Sequence, residues 1–481
     1  MLPHSRRFAA LACLALSASV ATAGDAPSEG LDLREVKEIR IPAEGAGPRT
    51  HEGRAARDLI HRHFFRYRRE RRVDVVAGEP ESWDHVIAVG RAMAVASGLI
   101  TDAELDALDI DGYIVRVRGR TAAIAGRRPL GAYWAALAFL ERAGLRFYPT
   151  DRMGWHAEYE ATDIVKPFSL TSRRPFFRIR FGNHLSRGLY RSKYMDTGQP
   201  KQADPELSEG DPIYGDHTAA YLVPKKLFMD EHPEYFAKKN GKRLGMDTRN
   251  HRLTLCLSNP EVMRISARRA LEWMNKQDDR LYFAITDGDS NGCQCARCIA
   301  SDYIPNYYTD RRLRWVNHIA RAVAKEHPEK CLASGAYIET QKPPLKVRPE
   351  RQVVVFYCPW YWMVRGSDQG PWDACNLIEM EEMIGWMLAV PRANLGRMNY
   401  SSGLETDSRI LKWMAKNDLR FWRSYHGDDP RGLYAFVIAR LCEDPYLDRG
   451  PLVAEYCDAV FGEAGEWMLK AIRRKLRAQR D

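Results

Sequence analysis

Apolar and polar positions alternate in two distinct regimes along the chain. Over residues 50–148, "GRAARDLIHRHFFRYRRE" has the spacing of a helix, and "DHVIAVG" is a continuous apolar run of strand length. "DGYIVRVRGRTAAIAG" alternates on both sides of a turn at Arg118-Gly119, which predicts a hairpin. "RPLGAYWAALAFLERAGLRFYP" predicts an apolar-faced helix closing at Gly144, then a short strand stopped by Pro149. Together these elements predict a small α+β domain over residues 31–163.

Residues 151–174 are polar with little periodicity and read as a connection ending at Pro175. Beyond it, short apolar runs alternate with helical patterns. The predicted strands are "FFRIRFGN", "RLTLCLSN", "RLYFAITD", "CLASGAYIE", "VVVFYCPW", "NLGRMNYSS" and "LRFWRSYHG". Predicted helices cover residues 260–277, 310–326, 377–388, 406–417 and 433–442, and the tail from Glu443 is helical. Strand–helix alternation over this length predicts a parallel sheet. The strands end in polar or aromatic residues: Asn183, Asn259, Asp287, Glu339, Trp360, Asn399 and His426. A (β/α)8 barrel builds its site at those strand ends, so the fold expected over residues 175–481 is an α/β barrel of TIM type. An eighth strand has no clear signal, and residues 221–236 are the place for it.

The N-terminus changes the picture of where the chain works. "MLPHSRRFAALACLALSASVATAG" has two arginines, a short apolar core and an Ala21-Thr22-Ala23 cleavage motif. This is the pattern of a secretory signal peptide over residues 1–23, and it predicts a secreted or periplasmic protein. No later segment is an apolar run of membrane-spanning length. The net charge of +10 includes those two arginines, which leaves +8 after cleavage. A cluster of arginines in "RHFFRYRRERR" is read as a solvated helix face and not as a nucleic-acid surface, since acidic residues are spread throughout. A basic surface also suits an acidic sugar.

The densest chemistry lies in "TDGDSNGCQCARC", residues 286–298. Asp287, Asp289 and Asn291 with Gly292 match the first half of a calcium loop, but Gln294 and Cys298 stand where an apolar residue and a glutamate belong. Cys293, Cys295 and Cys298 have metal-ligand spacing, with Cys256 available as a fourth ligand. The alternative, favoured in an exported chain, is one disulfide and a free thiol. Either way these cysteines shape the loop, and whether a metal is present stays open. If the strand alternation continues, Asp287 and Asp289 share a face and point together into the barrel mouth. Close carboxylates separate their pKa values, as glycoside cleavage requires.

Four segments carry a resemblance. "HPEYFAKKNGKR", "LTLCLSNPEV", "ITDGDSNGCQCARC" and "LCEDPYLDRGPLVAEYCDAVFGEA" resemble a bacterial domain family of unknown function, number 4838, grouped with TIM-barrel glycosyl hydrolases. "DGYIVRVRGRTAAIAGRRPLGAYWAALAFLERAGLRFY" resembles the small domain preceding the barrel in α-glucuronidases and β-hexosaminidases. The chain departs from the family at Cys442-Glu443-Asp444-Pro445, where an aromatic more often precedes Asp-Pro. The resemblance implies a carbohydrate-active barrel but carries over no catalytic pair.

Further candidates come from the strand ends. Glu339 and Glu405 are candidate second carboxylates beside Asp287 and Asp289. His217, Tyr337, Trp360, Tyr361, Asn399, Tyr400 and His426 are candidate substrate contacts, the aromatics as faces for sugar rings. There is no Walker A loop, H-E-x-x-H, G-x-S-x-G or dinucleotide fingerprint, so no cofactor is expected. The expected partner is a carbohydrate. The leading expectation is an exported glycoside hydrolase, and the alternative is a carbohydrate-binding protein that has lost catalysis.

Overall fold

The structure is a computed structural model of the 481-residue chain. It describes residues 30–44, 50–57, 60–61, 73–109, 112–148, 156–159, 163–172, 176–177, 179–182, 217–276, 281–289, 292–305, 307–360, 370–372, 376–399, 403–424 and 431–478. The signal-peptide motif, the arginine cluster of residues 62–72, and Asn183, Tyr361, Tyr400 and His426 lie outside the described residues.

The N-terminal part is built on a mixed six-stranded sheet. Its strands are β1 (Glu38–Ile41), β2 (Asp74–Ala77), β3 (Val86–Val89), β4 (Tyr113–Arg118), β5 (Thr121–Gly126) and β6 (Phe168–Thr171). They lie in the order β6-β4-β5-β3-β1-β2. β4 and β5 form the expected hairpin, and β5, β3, β1 and β2 run parallel. Helix α1 (Pro129–Arg142) covers one face and buries Tyr133, Trp134 and Phe139 against it. Residues 151–174 are more than a connection, because β6 pairs antiparallel with β4 at the sheet edge. Ser169, Leu170 and Thr171 are exposed there, so this strand lacks the apolar alternation that would have announced it.

The second sheet is entirely parallel. It comprises β7 (Ile179–Gly182), β8 (Tyr282–Ala284), β9 (Cys331–Ala336), β10 (Val353–Tyr357), β11 (Leu395–Asn399) and β12 (Phe421–Ser424), in the order β7-β12-β11-β10-β9-β8. The first strand therefore pairs with the last, as it does in a sheet curling toward closure. Six strands form this half-barrel, and the full eight-stranded barrel expected from the sequence is not shown. "RLTLCLSN", expected as a strand, joins by one isolated bridge between Leu255 and Phe236.

Helices follow the strands much as the periodicity predicts: α2 (Pro260–Asn275), α3 (Thr309–Val323), α4 (Leu377–Ala389), α5 (Leu404–Lys416), α6 (Arg431–Glu443), α7 (Arg449–Phe461) and α8 (Gly465–Ala478). α2 starts where the Asn259 side chain accepts from the Glu261 N–H and Pro260 fills the first turn. α3 is locked by Asp310, whose carboxylate accepts from the backbone of Leu345, Lys346 and Val347. One sheet face packs Phe283, Leu332, Val353, Val355, Tyr357 and Leu395 against the helices. The other gathers Tyr282, Val354, Phe356, Cys358, Met398 and Phe421. Period-2 alternation thus assigns each strand residue to the helix layer or to the inside of the curl.

Candidate functional site

The charged centre forms where the chain leaves β8. β8 ends at Ala284, and Ile285–Asp289 continue without strand structure. Asp287 has a side chain only 2% exposed. Its carboxylate accepts from the Leu255 N–H at 3.2 Å and lies 3.7 Å from the Arg312 guanidinium on α3. Gly288 is needed here, because a Cβ would sit 2.4 Å from the Leu253 carbonyl oxygen. Burial pushes the Asp287 carboxyl above its ordinary range, opposed by Arg312, by backbone N–H groups of Gly288 and Leu255, and by Lys239.

Glu339 follows β9, in a single 3-10 turn, Ile338–Thr340. The Thr340 hydroxyl fastens the turn by donating to the Tyr337 carbonyl and accepting from its N–H. Ile338 has φ +48°, a left-handed conformation that a β-branched side chain resists. Glu339 is half-buried, and burial pushes its carboxyl up. Lys239 and Arg312 oppose that shift, while the negative charge of Asp287 adds to it. Asp287 and Glu339, which follow neighbouring strands, therefore act on each other electrostatically.

Lys239 was not foreseen. It sits on a hairpin of Lys238–Lys239 and Lys242–Arg243, turned by Asn240 and Gly241 at φ +48° and +80°. Its Nζ is buried without a hydrogen-bond partner among the described residues. Burial lowers the ammonium pKa, and Asp287, Glu339 and Cys293 act against that. Lys239, like Arg312, thus acts electrostatically on both carboxyl groups. Its sequence signal was the Asn-Gly pair in "AKKNGKR", hidden because the flanking residues are basic and do not alternate.

Asp287 is buried, whereas Asp289, at a bend in the chain, is partly exposed, with the His217 Nε2 at 3.5 Å. The Asp289 N–H donates to the His251 carbonyl, and the His217 and His251 rings meet edge to face at 6.2 Å. His217 is held at φ +64°, because the next residue, Thr218, is hydrogen-bonded twice through its hydroxyl to the Thr286 backbone. At the neighbouring strand ends, Tyr337 and Trp360 meet edge to face with centroids 5.4 Å apart. Both are partly exposed.

Two expected site residues are placed elsewhere. Asn399 is 1% exposed and shares a face of β11 with Arg397. It accepts from Arg397 and donates to Asp407, which Tyr434 also reaches; Arg397 in turn binds Glu379 on α4. This is the helix-facing side of the sheet, so strand parity turns Asn399 away from the inside of the curl. Glu405 is buried in the first turn of α5 and paired with Arg449 at the start of α7. That contact joins two helices.

The cysteine loop packs behind the charged centre. Cys256, Cys293, Cys295 and Cys298 bring their sulfurs within 4.8 Å of one another. All four are unbridged, so the disulfide favoured from the sequence is not formed. They are the group among the described residues that could hold a metal. The Lys238–Arg243 segment is bound to this loop, with Gln294 N–H donating to the Lys238 carbonyl at 2.7 Å.

Among the described residues, no helix is long and apolar enough to cross a membrane. No curated protein matches the chain. Among solved structures, a β-N-acetylhexosaminidase from Bacteroides fragilis NCTC 9343 is similar at a TM-score of 0.42 and 12% identity, over 86% of this chain and 88% of that one. The family model described as "Domain of unknown function (DUF4838)" matches residues 157–472, which include the half-barrel, the charged centre and the cysteine loop, and the chain belongs to that family.

Proposed function

We propose that the protein is an exported glycoside hydrolase with Glu339 as its proton donor. The observation that carries this reading is the pairing of two carboxyl groups, Asp287 and Glu339, both pushed up by burial at the ends of adjacent parallel strands. A carboxyl pushed up from its ordinary range is the kind of group that protonates a glycosidic oxygen. Glu339 is the accessible member of the pair. Asp289, beside His217, is the second carboxylate that acts on the sugar or on water. Tyr337 and Trp360 offer ring faces for the C–H side of a sugar. In this reading the six-stranded curl is part of a (β/α)8 barrel. An α+β unit that runs to β6 at Thr171 precedes it.

In the chemical step Glu339 gives its proton to the leaving oxygen as the bond to the anomeric carbon breaks. Asp289 either attacks that carbon or removes a proton from the attacking water. Lys239 and Arg312 limit how far the pKa of Glu339 rises, so the proton remains transferable.

A second reading is a carbohydrate-binding protein without turnover: Asp287, the most enclosed carboxyl of the group, is too buried to touch a sugar and is left a structural role. A panel of uronosides and amino-sugar glycosides separates the two. Release of free sugar supports the hydrolase. Saturable binding to the wild type with no product from any member of the panel supports the binding protein.

A further inference from the structure

We infer that Cys256, Cys293, Cys295 and Cys298 hold one zinc ion in a closed tetrahedral thiolate site that fixes the Lys238–Arg243 segment beside the charged centre. The geometry carries this. The Cys256 sulfur is 3.6 Å from that of Cys295 and 3.7 Å from that of Cys298. Four thiolates about 2.3 Å from zinc stand about 3.8 Å apart along the edges of a tetrahedron. A disulfide needs about 2.0 Å between its sulfurs. The ligands come from two places, Cys256 just before α2 and the C-x-C-x-x-C run, in which Cys298 lies in the short helix Ala296–Ser301. Cys256, Cys293 and Cys298 are buried to 2% exposure or less, leaving no open position for substrate.

Charge and hydrogen bonding around the sulfurs fit the same ion. Zinc with four thiolates carries a net charge of −2, which is costly to bury unless opposed. Arg311 is 2% exposed, donates to the Cys293 carbonyl at 3.0 Å, and has an Nη2 without a hydrogen-bond partner among the described residues. It shares its charge with Asp302 at 3.5 Å. Arg243 places Nη1 3.8 Å from the Cys293 sulfur. The Lys238 N–H donates to the same sulfur at 3.2 Å, and the Ser258 hydroxyl lies 2.9 Å from the Cys298 sulfur. Such donors orient thiolate ligands and stabilise their charge. Because Lys238 is bound both through its N–H to Cys293 and through its carbonyl to Gln294, the ion sets the position of Lys239.

The test uses the full chain purified without added metal and analysed for zinc and iron. The expected result is one zinc per chain, with the four thiols protected from alkylation until a strong chelator is added. Replacement of zinc by cobalt should give the intense absorption of a tetrathiolate cobalt centre. Cys298→Ser should lose the zinc. If that variant fails to fold, the cobalt spectrum and alkylation pattern of the unmodified chain decide alone. Substoichiometric zinc that added Zn2+ does not raise, iron in its place, or two disulfides found by mass after alkylation would each overturn the assignment.

Discussion

Lys239→Met separates the needs of the fold from those of the site. The Lys239 Nζ is buried without a hydrogen-bond partner among the described residues, and its charge is attracted by Asp287 and Glu339. Methionine has nearly the same length and keeps the apolar stem. Removing an unsatisfied buried polar atom relieves a cost of about 1–3 kcal/mol. Against that stands the lost attraction to two carboxyl groups. Both are pushed toward their neutral forms by burial, which weakens the attraction. The net expectation is a gain of about 1 kcal/mol, read as a higher urea midpoint at unchanged slope. Activity should move the other way. Without the cation, the pKa of Glu339 rises further, so the alkaline limb of kcat/KM shifts to higher pH while the rate at the optimum falls. Strain relieved at the expense of function is expected of groups held for chemistry. A variant that is less stable, with an unmoved pH profile, would show that Lys239 is structural and refute this reasoning.

Asp287→Ala should destabilise by about 1–3 kcal/mol, because it strips the acceptor from the buried Leu255 N–H and the counter-charge from Arg312; an unchanged urea midpoint would contradict this. Glu379, buried against Arg397, has its carboxyl pushed up by burial from 4.5 to about 7. A carboxyl raised in the folded state stabilises fully below its unfolded pKa, and that contribution is lost as pH rises through 7. At about 1.4 kcal/mol per pH unit, the loss is on the order of 3 kcal/mol. Stability measured from pH 4.5 to 7.5 should therefore decline, and Glu379→Gln should flatten the decline; an equal slope in the variant would remove Glu379 as its source.

The helices and most strands of the half-barrel were legible because each carries a long, regular apolar pattern. α2, α3 and α5 lie within a few residues of their expected bounds. What the sequence hid was direction. β8 is apolar on both faces, so nothing in "LYFAI" tells which parity points inward, and the strand ends at Ala284, before Asp287 and Asp289 are reached. β11 is buried throughout, which conceals that Arg397 and Asn399 face the helices. The strand-end pattern places Asn399 at the mouth, whereas its amide joins Arg397 to Asp407 in a buried network. Lys239 escaped notice because a two-residue strand of lysines has no apolar periodicity, although Asn240-Gly241 marked the turn. The cysteines were recognised as one structural group from spacing alone. Their state was not, because spacing fits a disulfide and a metal equally, and only the placement of Cys256 beside the loop distinguishes them.

The central claim, that Glu339 is the proton donor of a glycoside hydrolase, is tested most directly by Glu339→Gln assayed on two glycosides of one sugar. One has an alkyl leaving group that needs protonation, and the other an activated aryl group that does not. Loss of a general acid typically costs about 10²–10⁴-fold. The account predicts a loss of that size on the alkyl glycoside and a much smaller one on the aryl glycoside, with the alkaline limb gone and the melting temperature unchanged. Equal losses on both substrates, or turnover of the alkyl glycoside at the wild-type rate, would contradict it.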